Sequence, residues 1–415
     1  MINAPNWRNM PKKQNLLIIN QFASLPQYSF GAGERFYFLS EFLHKMGYDV
    51  NVVSGAFSHL FKYYPNVTGL FTTEQTQYAE FTWVKLHKYK PEDYLWRTLC
   101  LFEFAIKLFW LPVKKRKPDV VLVSSMSLLP ILYATWLKWR YKTRFVLEIR
   151  DIWPMTPVEI GGYSKKHPLI LFLGFVERLG YKKADHVVSV LPGFKKHLEE
   201  SGFPNKPFTW IPNGIGKADD SAPEKTERLL PENKFNIIYA GTIGNANAME
   251  YFIEAADILK DHESVHLTII GDGPLKANLE NESAHLTNVT FLPKVLKKDL
   301  SAIIDQADVC YIGWHGKRIY NYGVSANKYN DYMLQKKAIL SSSNISNDPV
   351  LIAKCGLNVP AADAKAIADG ILELQNMPAD KLLEMGMNGY RFLQENQVYD
   401  VLANKYSVVL ESLFK

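Results

Sequence analysis

The sequence predicts an α/β protein of two domains, each a parallel sheet covered by helices on both faces. Three observations predict it. At 415 residues the chain is too long for one compact core. Short apolar runs alternate with helical stretches along most of its length, the pattern of a sheet buried on both faces. The alternation is broken once, by the polar, charged, Pro-containing residues 216–233, which read as a linker.

Residues 16–20 (LLIIN) predict the first strand, followed by a Gly-bearing turn and a helix near 34–45. Residues 49–54 (DVNVVS), 119–123 (DVVLV), 145–149 (FVLEI) and 186–190 (HVVSV) predict further strands. Ile211-Pro212-Asn213-Gly214-Ile215 closes this domain, assigned to residues 1–212. A second βα series starts at 236–240 (NIIYA) and continues through 266–270, 289–292, 309–312 and 338–341, in a domain assigned to 213–393. Two such domains facing each other would leave a cleft at the carboxyl ends of their strands, where ligands of open α/β folds bind. Functional side chains are therefore expected just after strands.

Composition narrows the function. With 47% hydrophobic and 22% charged residues the chain is an ordinary globular protein, which excludes broad disorder. Cys100, Cys310 and Cys355 are widely spaced and read as buried thiols of a reducing compartment. Residues 1–15 hold no apolar stretch of the kind a secretory signal needs. The net charge of +6 is uneven: residues 1–210 carry 28 Lys and Arg against 16 Asp and Glu, the remainder 20 against 26. A basic first half calls for an anionic partner, whether nucleic acid, a membrane surface or a phosphorylated acceptor. No Asp-x-Asp triplet and no His/Cys/carboxylate cluster has metal-ligand spacing, so no metal is expected.

The most informative segment is 323–340 (GVSANKYNDYMLQKKAIL): a loop, a short helix and an apolar strand. Ser325 and Asn327 suit a helix N-cap, and Lys328, Asp331 and Tyr332 then project to one side. A helix N-terminus favours phosphate, Lys328 adds a formal charge, and Asp331 can accept from sugar hydroxyls. The alternative is an ordinary salt-bridged surface helix.

Gly31-Ala32-Gly33-Glu34-Arg35 follows the first strand and opens a helix, so its backbone could approach an anion. It is not GxGxxG, and a dinucleotide cofactor is not indicated. The alternative is a tight βα turn. Arg150-Asp151-Ile152-Trp153-Pro154 follows another strand. Arg150 could grip a phosphate, while Asp151 could orient an acceptor hydroxyl or pair with Arg150. Residues 94–113 (YLWRTLCLFEFAIKLFWLPV) precede Lys114-Lys115-Arg116-Lys117 and place Leu95, Leu99, Phe102, Ile106 and Phe109 at helical spacing. Arg97, Glu103 and Lys107 argue against a membrane-spanning helix. Either a core helix with a basic end or an amphipathic segment on an anionic membrane fits this pattern, and 136–144 (WLKWRYKTR) adds to the second.

With Tyr239-Ala240-Gly241-Thr242-Ile243-Gly244 and Ile270-Gly271-Asp272-Gly273-Pro274 ahead of it, segment 323–340 resembles the nucleotide-sugar half of family-4 retaining glycosyltransferases. These have the two-Rossmann GT-B fold. The likeness runs from about residue 16 onward and is nearest to the bacterial surface-polysaccharide branch that includes fucosamine transferases. It implies a crossing back of the last helix, roughly 394–415, onto the first domain. It implies that the Gly31/Gly33 loop faces the donor diphosphate and the acceptor, and that residues 291–295, ending in Val295, present backbone to the nucleotide base. Asn327 and Lys328 would hold the diphosphate.

Where relatives carry a diphosphate-neutralising Arg and Lys, this chain has Thr242 and Asn247, which throws weight onto Lys328, backbone amides and Lys317 or Arg318. Asp331 matches the second acid of the family's Glu-x7-Glu pattern, whose first falls on Gly323. The glycine and proline found downstream in relatives are Lys336 and Ala338 here. Gly271-Asp272-Gly273-Pro274 mainly shapes a turn. Ser124-Ser125-Met126 offers no counterpart of the cleft histidine of some relatives.

The implied activity is hexosyl or N-acetylhexosaminyl transfer from a nucleoside-diphosphate sugar, UDP favoured, with retention and without a metal. The implied acceptor is a polyprenyl-diphosphate-linked saccharide at the cytoplasmic face of the plasma membrane. A nucleotide-sugar 2-epimerase and a non-catalytic nucleotide-sugar-binding protein are the alternatives. Nucleic acid is not an expected partner, since the second domain is acidic and no recognition motif occurs.

Overall fold

The computed structural model describes residues 14–216 and 228–415 apart from positions 30, 32, 91, 92, 115, 126 and 296. Most of the linker expected at 216–233 and nearly all of the N-terminal segment lie outside the described residues, as do Ala32 and Met126. The chain forms two compact units, Met1–Gly216 with Tyr399–Lys415, and Lys217–Val398.

Unit 1 is built on eight strands: β1 (Gln14–Ile19), β2 (Tyr48–Gly55), β3 (Phe71–Gln75), β4 (Ala79–Val84), β5 (Val120–Ser125), β6 (Arg144–Ile149), β7 (His186–Ser189) and β8 (Phe208–Trp210). Their order is β3-β4-β2-β1-β5-β6-β7-β8, parallel throughout except for the β3–β4 pair. Helices α1 (Arg35–Lys45), α2 (Tyr94–Lys107), α3 (Pro130–Tyr141), α4 (Met155–Glu159), α5 (Pro168–Lys183) and α6 (Phe194–Glu200) connect them. Every residue of β5 is buried, so the central strands read as unbroken apolar runs and not as alternating ones.

Unit 2 has six parallel strands, β9 (Phe235–Ala240), β10 (Val265–Ile270), β11 (Val289–Leu292), β12 (Val309–Gly313), β13 (Ala338–Ser342) and β14 (Gly356–Val359). Their order is β11-β10-β9-β12-β13-β14. The helices are α7 (Met249–Ile258), α8 (Lys276–Glu282), α9 (Lys297–Asp305), α10 (Asn327–Leu334), α11 (Pro349–Ala353), α12 (Ala364–Gln375) and α13 (Ala379–Asn396).

The last helix, expected at roughly 394–415, starts at Tyr399 and belongs to unit 1, as the crossing back requires. Helix α13 ends at Asn396 within unit 2, and α14 (Tyr399–Ser412) belongs to unit 1. There Leu402, Tyr406, Val409 and Leu410 join Phe36, Leu39 and Leu43 of α1 in one core, and Tyr399 stacks on Phe38 at 5.1 Å. All three cysteines are free and buried, and burial pushes the Cys100 thiol up to about 12, which keeps it neutral.

Residues 94–113 are covered on one side only, with Phe104 and Leu108 fully buried. Helix α2 buries only Cys100, Phe104 and Ala105, while Leu95, Leu99 and Ile106 of the expected apolar stripe stand in solvent. Phe102 and Phe109 of the same stripe do pack, on Phe172 and on Tyr133 and Trp136, so the stripe is split between a covered and a bare side. Among the described residues no helix is long and apolar enough to cross a membrane.

Candidate active site

The loops after β9 and β10 form one backbone unit in which glycine is required. Gly241 N–H donates to Ile270 O at 2.9 Å, and Ile243 N–H to Asp272 O at 2.9 Å. Gly271 has φ +151°, and a β-carbon there would stand 1.9 Å from Gly241 O. Gly273 has φ +156° and would bring one to 2.3 Å from Ile243 O. The Gly271-Asp272-Gly273-Pro274 turn therefore buttresses the 241–247 loop. Gly271→Ala is expected to cost about 1–3 kcal/mol from the backbone conformation alone, read as a lower urea midpoint of unfolding.

Lys328 lies over this loop. A β-carbon on Gly241 would sit 2.1 Å from Lys328 Cε, the ammonium stands 4.8 Å from the centre of the Tyr239 ring, and Nζ donates to Asn247 Oδ1 at 2.8 Å. Asn247 Nδ2 donates to Thr242 O at 2.9 Å, and Tyr239 OH to the same carbonyl at 2.5 Å. Lys328, Thr242 and Asn247, far apart in sequence, are thus brought together at the carboxyl end of β9. Burial pushes the Lys328 ammonium down to about 8, against the pull of Asp331 one turn away.

Helix α10 presents Lys328 with details that differ from the expected ones. Its N-cap is Ala326, in extended conformation and with no side-chain cap bond, and neither Ser325 nor Asn327 takes that place. Ala326 supplies the non-helical backbone that the position requires, and Asn327 is already the first helical residue, exposed. Tyr332 does not project beside Lys328 toward a ligand. It is 1% exposed, and its hydroxyl accepts from Ala240 N–H at 2.8 Å.

Tyr329 anchors α10 on its other side, donating to Asp348 Oδ2 at 3.1 Å and accepting from Trp314 Nε1 at 2.9 Å. Asp348, fully buried, also takes the hydroxyls of Ser341 and Ser343 and the Val350 N–H. Asp331 is half-buried, three residues on from Lys328. Gly323, at the place of the family's first acid, has φ +95° and ψ 173°, a conformation nearly confined to glycine. The missing acid is thus a property of the backbone as well as of the side chain. Val295 is half-buried, three residues beyond β11, and Arg318 donates to Tyr322 OH at 3.4 Å.

In unit 1 the residues after β6 meet a buried ionic network that sequence reasoning missed. Arg150 pairs with Glu148 Oε1 at 3.5 Å and donates to Asn213 Oδ1 at 2.9 Å. Glu148 therefore takes the contact with Arg150 expected of Asp151, while desolvation pushes the Asp151 carboxyl up against the pull of the Arg150 charge, which it still feels. Fully buried Glu148 also accepts from Ser124 Oγ at 2.8 Å, from Arg35 at 3.4 Å and from Tyr406 OH. Arg35 donates further to Pro212 O at 2.6 Å and Ile211 O at 3.1 Å. Gly31 and Gly33 lie in the same unit, just before α1. The Gly31 N–H is committed to Ser29 Oγ at 2.7 Å. Gly33, at φ +84°, is imposed by the Phe22 carbonyl, which a β-carbon would approach to 2.5 Å. Among the described residues no group of three or more His, Cys, Asp or Glu could hold a metal.

Comparison with known proteins agrees with this architecture. Residues 30–214 match the family profile "Glycosyl transferase 4-like domain", and residues 234–377 match "Glycosyl transferases group 1". Sucrose-phosphate synthase from Thermosynechococcus elongatus superposes with a TM-score of 0.69 at 17% identity, over 97% of this chain and 99% of that one. The Escherichia coli trehalose-6-phosphate protein bound with UDP-2-fluoro glucose superposes at 0.70 and 12% identity, over 96% and 99%. Anabaena Alr3699/HepE, in complex with UDP and glucose, superposes at 0.65 and 11%, over 96% and 100%. The fold and the two matched domains make this protein a glycosyltransferase of the GT-B class.

Within that class it is of the family-4 type, the two domains together spanning most of the chain. WcaI of Escherichia coli (strain K12), assigned as a colanic acid biosynthesis glycosyl transferase, is 27% identical over 295 residues, 66% of this chain and 70% of its own. WbjE of Pseudomonas aeruginosa, also assigned as a glycosyltransferase, is 23% identical over 324 residues, 75% and 78% of the two chains.

Proposed function

We propose that this enzyme moves a hexosyl or N-acetylhexosaminyl group from a nucleoside-diphosphate sugar, UDP favoured, to an acceptor hydroxyl with retention of configuration and without a metal. The observation that carries this reading is Lys328, a partly desolvated ammonium held over the Gly241–Asn247 loop at the start of a helix. A diphosphate there would replace Asn247 Oδ1 as its partner, and the amides of Asn327 and of the Thr242 loop would add donors in a fixed geometry. Asp331 would accept from sugar hydroxyls, and the backbone near Val295 would meet the base. Relatives of the same fold that hold UDP or a UDP-sugar support this choice of donor.

The acceptor reading is a polyprenyl-diphosphate-linked saccharide of surface-polysaccharide assembly, met at the cytoplasmic membrane face. The basic first half and the likeness to WcaI support it. In that reading Arg150, Asp151 and the Gly31/Gly33 loop of unit 1 serve the acceptor. Activity on soluble saccharides lacking both lipid and diphosphate, equal to that on the lipid-linked form, would refute it.

A thermal-shift panel with UDP, GDP, ADP and dTDP, repeated on Lys328→Ala, tests the donor site. Ligand at about 100 Kd stabilises the fold by ~2.7 kcal/mol. One nucleotide is expected to shift the wild type and to lose its effect in the variant. No shift with any nucleotide would overturn the donor assignment, and the anomeric form of the product by NMR would decide retention.

Lys328 also predicts a pH dependence. Its charge is present below about 8 and lost above it. Diphosphate affinity measured by calorimetry is therefore expected to fall as pH rises from 7 to 9.5, with proton uptake on binding near the midpoint. Lys328→Ala should bind weakly and show neither the fall nor the uptake.

A further inference from the structure

The outer helical layer of unit 1 carries an apolar face that glycosyl transfer does not use. Helices α2, α3 and α5 lie side by side: Phe102 of α2 stacks on Phe172 of α5 at 6.2 Å, and Phe109 meets Tyr133 and Trp136 of α3 at 5.3 and 5.8 Å. On the outward side Leu95 is 69% exposed, Ile106 55% and Trp110 64%. The neighbouring helices add Trp139 at 71% and Phe175 at 62%. Single exposed apolar residues are ordinary, but a run across three adjacent helices marks a surface with a partner.

Beside this face, at the carboxyl end of α3, an open pocket of about 390 Å³ is lined by Lys114, Lys117, Arg140, Tyr141 and Lys142. Lys117 Nζ stands 5.9 Å and Arg140 Cζ 5.3 Å from the Tyr141 ring centre. Among the described residues none of these four cations has a carboxylate within ion-pair distance, whereas neighbouring Arg116 is paired with Asp49. Four like charges gathered round one pocket repel one another, so an anion lowers the energy of the site. Trp110 lies four residues before Lys114, and Trp139 immediately before Arg140.

Aliphatic residues together with a cationic pocket fit an anionic lipid surface. Nucleic acid would leave Leu95 and Ile106 without a counterpart. A second copy of this chain would present the same unpaired cations to each other. Tryptophans at the border between apolar and charged residues suit the interfacial zone of a bilayer.

We infer that unit 1 docks on an anionic bilayer through α2, α3 and α5, with lipid phosphate in the Lys114/Lys117/Arg140/Lys142 pocket and Trp110 and Trp139 at the acyl boundary. The inference deepens the proposal of a lipid-linked acceptor by naming the surface that brings the enzyme to it, but its test needs no sugar.

The full chain is sedimented with vesicles of phosphatidylcholine alone or mixed with phosphatidylglycerol, at low and high salt. Wild type is expected on the mixed vesicles, with binding weakened by salt. Replacing Lys114, Lys117, Arg140 and Lys142 together by Ala should lower partitioning about fivefold per cation, some hundreds-fold in all. Ile106→Ser with Trp110→Ser should leave only weak attachment that high salt removes. These residues are exposed, so both variants should keep the wild-type melting temperature and nucleotide shift.

Equal binding to neutral vesicles, or by wild type and the fourfold variant, overturns the inference. So does a dimer in light scattering that Trp110→Ser abolishes, which would assign the face to a second copy. Vesicle binding without any nucleotide shift would refute the donor reading and leave this one standing.

Discussion

Lys328→Ala is expected to lower turnover on the nucleoside-diphosphate sugar by about 10²–10³-fold while the protein stays folded. The ammonium brings a formal positive charge onto the Gly241–Asn247 loop, and Thr242 and Asn247 cannot replace it. Lys328→Arg should recover little. The Lys side chain runs hard against Gly241 and ends above Tyr239, so a planar guanidinium would have to displace Asn247. The melting temperature without ligand should change slightly, because α10 is secured by Tyr329 and Tyr332 and not by Lys328. Wild-type turnover in the Ala variant would remove the proposed phosphate role.

Glu148→Ala should be the most destabilising single change in unit 1, at about 3–5 kcal/mol. The carboxylate has no solvent exposure and faces Arg35, Arg150, Ser124 and Tyr406. Its removal strands the buried Arg35 guanidinium. For a unit of this size that loss corresponds to a melting temperature lower by roughly 10 °C or more. Glu148→Leu combined with Arg35→Met is expected to recover much of it, because a buried ion pair often stabilises no more than a well-packed apolar pair. If the double variant is no better than Glu148→Ala, the carboxylate acts through its hydroxyl partners.

What could be read from the sequence was mostly local. Central strands such as β1, β5 and β9 are buried on both faces and leave unbroken apolar runs. The loops after them follow from position. Strands β3, β8 and β14 are edges, short or half-exposed, and carry too little apolar pattern to stand out. The grouping of Lys328 with Thr242 and Asn247 was within reach because loops after neighbouring parallel strands converge.

The full Glu148 network was out of reach, since Arg35 and Tyr406 lie 113 and 258 residues away and nothing local marks them. The N-cap at Ala326 illustrates another limit: a favourable side chain names a neighbourhood, and the backbone chooses the residue. Helix α2 shows a third. A core and a lipid surface both select apolar residues at helical spacing, so periodicity cannot say which side of a helix is covered.

The attachment of α14 has a consequence for how the chain is made. Tyr399, Leu402, Tyr406, Val409 and Leu410 are part of the unit 1 core, and Tyr406 closes over Glu148. Synthesis runs from the amino terminus, so when residue 216 emerges from the ribosome unit 1 still lacks one wall of its core and a hydroxyl of its ionic network. Residues 217–398, by contrast, are contiguous and can complete their own unit as they emerge. The unit begun first is completed only after the second, and until Tyr399–Lys415 have joined it part of its apolar core stays uncovered, the condition in which folding intermediates aggregate.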